Sequence, residues 1–154
     1  IDVFRISHRG RRDAVKNEQK WTKFRATLSN VLAGKIDVSR LVEASRGSLL
    51  LHKRVPKVST VIRIDNEASD GFTIIEVFTD DRIGVLFTIT HTLHQLGLSI
   101  HVAKISTNID QVADVFYVTD EHGGKLEDPA RLEFARDTLH RILAPQHEQS
   151  ERVA

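Results

Sequence analysis

Hydrophobic and polar positions change period as the second half of this chain proceeds. VSTVIRID (58–65) alternates as a half-buried strand does, and FTIIEVF (72–78) is dense in β-branched and aromatic residues, which also predicts a strand. Between them NEASDG (66–71) is rich in turn formers, so the two strands form a long hairpin. Leu86, Ile89, Leu93 and Leu96 then recur at spacings of three and four, drawing one apolar helix face. Gly97 follows in the place where a left-handed residue closes a helix. SIHVAKIS (99–106) and VADVFYVT (112–119) are two more strands, separated by the turn-prone TNIDQ, and HGG (122–124) breaks the chain. Asp128 before Pro129 supplies an N-cap and a first helical residue. The helix they open turns Leu132, Ala135, Leu139, Ile142 and Leu143 inward, and Pro145 stops it. The order is β-α-β-β-α, with 58–65 as an additional strand, no clear final strand, and a polar, frayed tail in QHEQSERVA.

The start of the chain repeats part of this pattern. IDVFRI (1–6) resembles ADVFYV (113–118), and Trp21, Phe24, Leu28, Val31 and Leu32 lie 111 residues before the five inward positions of the last helix. Thr27-Leu28 matches Thr138-Leu139, and Gly34 ends one helix where Pro145 ends the other. The repeat predicts that residues 1–35 are the C-terminal half of a first module, a strand plus a helix whose apolar face turns inward. A lone strand and helix cannot bury both their apolar faces, so the chain reads as a piece of a longer protein. Two-residue identities alone would not separate this from any strand–helix pair. Residues 36–57 form a linker with a short helix in DVSRLVEASRG, residues 58–145 the second module, and 146–154 the tail.

Composition narrows the function classes. The chain has 154 residues, 40% hydrophobic and 28% charged, which suits packed cores. It has no apolar run long enough to span a bilayer and no leader-like start, so no membrane partner and a cytoplasmic setting are expected. It has no cysteine, which removes disulfides, thiolate metal sites and cysteine nucleophiles together. The net charge of +1 conceals a division: residues 1–57 hold 14 Lys and Arg against 5 Asp and Glu, and residues 58–154 hold 8 against 16. A basic half can bind nucleic acid or dock on an acidic surface. Trp21 and Phe24 belong to the helix stripe and leave no aromatics to stack bases, so no nucleic acid is expected. His91, His94 and His101 have a spacing that zinc sites use, yet no recognisable motif sets a carboxylate with them, and ordinary surface histidines are the expectation. P-loops, nucleophile elbows and dinucleotide fingerprints are absent from the sequence, so no catalytic residue is assigned.

The stretch DDRIGVL (80–86) carries the remaining chemistry. A chain that leaves a strand and enters a helix at once exposes unpaired amides at the positive end of the helix dipole, where a carboxylate or phosphate can bind. Gly84 has no Cβ to hold a ligand off the main chain. Asp80 and Asp81 are placed to pair with an ammonium group, which together with the amides describes a site for an α-amino acid. The same residues also fit an ordinary corner, with Asp81 as N-cap and Gly84 as a packing glycine.

With this element order and DDRIGVL at the first strand–helix corner, residues 72–143 resemble an ACT domain, a ferredoxin-like α+β regulatory module that binds amino acids. AKIST followed by VADVFYVTD is similar, more narrowly, to the C-terminal tandem ACT region of the uridylyltransferase/uridylyl-removing enzymes that act on the PII signal protein. The resemblance implies an antiparallel sheet with helices on one face, and a partial ACT module before it. It implies allosteric regulation of nitrogen metabolism by glutamine sensing, with PII as partner of the longer enzyme. Nucleotidyltransferase and phosphohydrolase domains, which need a divalent metal, would lie upstream; this fragment would hold no cofactor and catalyse nothing. Asp81, Arg82, Gly84, Val85 and Leu86 match the family's corner motif, and Ser99 and Ile100 take the start of the second strand, which commonly lines the same ligand. Ile83 departs from the proline that many members carry, and it adds a backbone N–H there. ACT ligands usually sit between two modules, so another ACT module or a second copy is an expected partner. The rival expectation is a ligand-free, ACT-like interaction module that dimerises or docks on catalytic domains.

Overall fold

The computed structural model describes residues 17–47, 58–108 and 111–144, and of these the side chains at 46, 47, 107 and 108 are left aside. The expected strand at 1–6, the linker after Gly47, Pro145 and the polar tail lie outside them. The chain divides into two compact units, 1–44 and 45–154.

In the first unit α1 spans Glu18–Leu32, opened by Asn17, whose side-chain oxygen accepts from the Lys20 amide at 3.0 Å. Gly34, at φ 68°, follows its end as expected. The short helix α2 covers Val38–Gly47. One expectation fails here: no residue of α1 is buried, and Phe24, Leu28 and Leu32 are exposed rather than turned inward. No strand of this unit is among the described residues.

The second unit is α+β, as the element order predicted. Its strands are β1 (Val61–Asp65), β2 (Thr73–Asp80), β3 (Ser99–Lys104), a two-residue β4 (Thr107–Asn108) and β5 (Gln111–Thr119). Helix α3 (Val85–Gln95) links β2 to β3, and α4 (Pro129–Leu143) follows β5. The sheet runs β1-β2-β5-β3, antiparallel throughout, with β4 on β5. The hairpin strand β1 takes the edge beside β2, and no strand follows α4 among the described residues.

Period-two alternation decides which face carries the core. Ile62, Ile75, Val77, Val112, Phe116 and Val118 point to one face and pack with Val85, Ile89, Leu93, Leu139 and Leu143 of the two helices. The opposite face carries Phe78 beneath the Arg63 guanidinium at 5.3 Å, and Tyr117 beneath the Lys104 ammonium at 4.8 Å. Two sequence expectations shift by one helical position. Ile142 is exposed, while Leu139 and Leu143 are fully buried; on α3, Leu86 is exposed and Val85 takes the inward place. A 3.6-residue period drifts against a strict three-four pattern, so stripe edges turn outward.

Both helix boundaries predicted from caps hold. Asp128 accepts from the Ala130 amide at 2.9 Å with Pro129 as first helical residue. Gly97, at φ 74°, closes α3: its amide reaches His94 O and that of Leu98 reaches Leu93 O, both at 3.0 Å.

Candidate functional site

The corner between β2 and α3 is a tight turn that only glycine completes without strain. The Val85 amide donates to Arg82 O at 3.0 Å, with Ile83 and Gly84 between them. Gly84 has φ 81° and ψ 6°, the conformation of the third residue of a type II turn. It also serves as N-cap of α3, and no side chain caps the helix. The N-cap reading of Asp81 is therefore corrected: the turn inserts Arg82 and Ile83 before the helix begins, which leaves Asp81 too early in the chain. Proline favours the second position of a type II turn, so Ile83 stands where a family proline would fit the same geometry.

The first turn of α3 is only partly satisfied. The Thr88 amide and hydroxyl both donate to Gly84 O, at 2.8 and 3.0 Å. The amides of Leu86 and Phe87 have no acceptor among the described residues. Two adjacent N–H groups at a helix head, beside a residue without a Cβ, can hold one carboxylate.

The remaining predicted residues divide between the corner and other places. Asp80, the last residue of β2, accepts from the Val58 amide at 2.5 Å and so anchors the approach to β1. Arg82 donates to Leu143 O at 2.8 Å, and Thr60 reaches that carbonyl at 3.3 Å, so both fasten the end of α4. Asp81 stays exposed at the corner, Val85 is buried beneath it, and Leu86 is exposed on the first turn. Ser99 and Ile100 lie elsewhere. Ser99 pairs with Thr119 at the far end of β5, whereas Asp80 pairs with Gln111 at the near end. Eight strand steps separate those ends, about 26 Å at the rise of a β-strand. One module does not bring Ser99 and Ile100 to its own corner.

Sequence reading passed over Asp114, the residue on β5 opposite Val77. It occupies an inward position between Val112 and Phe116 and is 1% exposed. Its Oδ1 accepts from the Ser106 amide at 3.1 Å, and its Oδ2 has no hydrogen-bond partner among the described residues. Burial raises its pKa above the ordinary carboxylate value, the Ser106 bond opposes this, and the negative charge of Asp81 adds to the rise. A charge at an inward position of an alternating strand was the available signal.

Two of the three closely spaced histidines make contacts with other side chains. His91 stacks on Phe87 at 5.4 Å, and His101 meets Thr119 Oγ1 at 3.0 Å beside the Phe72 ring. Among the described residues no three His, Cys, Asp or Glu side chains are grouped to hold a metal. No helix among them is long and apolar enough to cross a membrane.

Comparison with known proteins matches residues 68–144 to the ACR family N-terminal ACT domain, a span that begins after β1 and holds the corner, β3, β5 and α4. Three relatives, each named "Bifunctional uridylyltransferase/uridylyl-removing enzyme", come from Gluconobacter oxydans, Azospirillum brasilense and Rhodopseudomonas palustris. They are 40%, 33% and 34% identical to this chain over 73%, 94% and 94% of its length. The chain spans only 12%, 15% and 16% of those relatives' own lengths. No solved structure matches it.

Proposed function

This chain belongs to the ACT domain family, and on that premise we propose that its β2–α3 corner is a sensor site for a free amino acid, with glutamine the leading ligand. The observation that carries the reading is the head of α3, where two unpartnered amides adjoin a left-handed glycine cap. The ligand carboxylate takes the Leu86 and Phe87 amides, and exposed Asp81 pairs with the ammonium group. Similarity to the uridylyltransferase/uridylyl-removing enzymes supports placing this sensor in a longer enzyme that acts on PII in nitrogen signalling. In that role the module regulates and does not catalyse, and the metal-dependent chemistry belongs to other domains of the longer chain.

The edge strand β3 favours a second reading, in which the module acts by pairing with another copy. All six residues of β3 are exposed, including Ile100 and Val102, and among the described residues it pairs only with β5. An open edge is a template for another strand. The two readings meet in one arrangement: antiparallel pairing of β3 with a second β3 sets Ser99 and Ile100 of one copy at the corner end of the other.

Isothermal titration of the chain with glutamine tests the sensor reading. Saturable heat that Asp81→Ala weakens at least tenfold, with the association state unchanged, supports it. Absence of heat from a folded sample counts against it, and self-association without any ligand response favours the pure interaction module.

A further inference from the structure

Asp114 has no structural duty that accounts for both its oxygens. Oδ1 holds the Ser106 amide, and so fastens the segment after β3, whereas Oδ2 is sealed from water and has no hydrogen-bond partner among the described residues. A carboxylate buried with an unused acceptor is costly unless a donor reaches it. Its place on the sheet is toward the corner. Asp114 lies on the helix-covered face, one inward step from Val112 and three β2 residues' depth from Asp80, at the sheet end where α3 begins. Asp81, at the corner, is close enough for its charge to oppose ionisation of Asp114. The corner thus combines unpartnered amides at a helix head with a buried acceptor behind them.

We propose that Asp114 is the specificity residue of the corner site, its Oδ2 accepting a hydrogen bond from the side-chain amide of the bound amino acid. The inference rests on the reading of the corner as an amino-acid site and adds which amino acids enter it. An acceptor of this kind rewards a ligand whose side chain ends in a primary amide. It rejects the corresponding acid, whose side-chain carboxylate would face Asp114 and offer no donor.

The test is a ligand pair measured on the 154-residue chain and on Asp114→Asn. Asparagine keeps an oxygen for the Ser106 amide and turns the other atom into a donor, so that bond is retained while the acceptor is lost. The unsubstituted chain is expected to bind L-glutamine at least tenfold more tightly than L-glutamate. Asp114→Asn is expected to lower glutamine affinity at least tenfold and bring the ratio close to one, with amide dispersion showing that the fold is intact. Asp81→Ala is expected to weaken both ligands alike, because it meets the ammonium group they share. If Asp114→Asn does not fold, Asp114→Ser, a smaller side chain, takes its place with the same expected collapse of the ratio. A folded variant that keeps the original ratio overturns the assignment of Asp114 while the corner site stands. If the unsubstituted chain binds neither ligand, the corner reading falls and this inference falls with it.

Discussion

Gly84 and Asp114 shape the module through different physics. Gly84 holds φ 81° as both turn residue and N-cap. An L side chain in the left-handed region costs about 1–2 kcal/mol, so Gly84→Ala should lower the melting temperature by several degrees and blunt any ligand response. An unchanged melting curve would show that the turn is not built as described. Asp114 acts through its proton. Its folded pKa is raised by burial and by the charge of Asp81. Its contribution to stability is therefore fully present below the unfolded carboxylate value and is lost as pH rises through the raised folded value. Asparagine carries no such loss. The stability of Asp114→Asn relative to the unsubstituted chain should increase between pH of about 4 and neutrality, as thermal melts across that range would show. A difference independent of pH would contradict the buried-carboxylate account.

Elements were legible to the degree that local pattern decides them. Caps such as Asp128-Pro129 and Gly97 act within a few residues, and the structure places them where the sequence did. The alternating strands were legible because burial of one face forces period two. What pattern could not supply was tertiary: that the turn would move the N-cap from Asp81 to Gly84, that Leu86 and Ile142 would turn outward, or that an aspartate would share the inward face with phenylalanine. The hairpin strand β1 is the element whose role most needs testing, because the ACT match begins after it. Ile62 is 7% exposed and joins the common core, and Thr60 bonds Thr79 Oγ1 at 3.0 Å. If β1 is integral to the sheet, Ile62→Ala should cost about 2–4 kcal/mol in denaturant unfolding. A loss below about 0.5 kcal/mol, the range of ordinary surface changes, would make β1 an appendage.

At the scale of the whole molecule, the site residues predicted from family resemblance lie at two ends of one sheet. The strand-to-helix corner was readable in DDRIGVL, but the distance to Ser99 and Ile100 was not, because strand register fixes it. Under the proposed pairing, two copies joined along β3 bring Ser99 and Ile100 of one toward the corner end of the other. Lysine at Val102 would set like charges near each other across such a pair, which is unfavourable in a ladder. Val102→Lys should therefore reduce self-association in sedimentation and reduce the glutamine response with it. A monomer with full response would refute the paired site. The central claim, that the head of α3 holds an amino acid, is tested most directly by following the backbone amides of Gly84, Leu86 and Phe87 by nuclear magnetic resonance as glutamine is added. The account predicts saturable shifts centred on Leu86 and Phe87. A well-dispersed spectrum whose corner amides stay fixed at millimolar glutamine would contradict it.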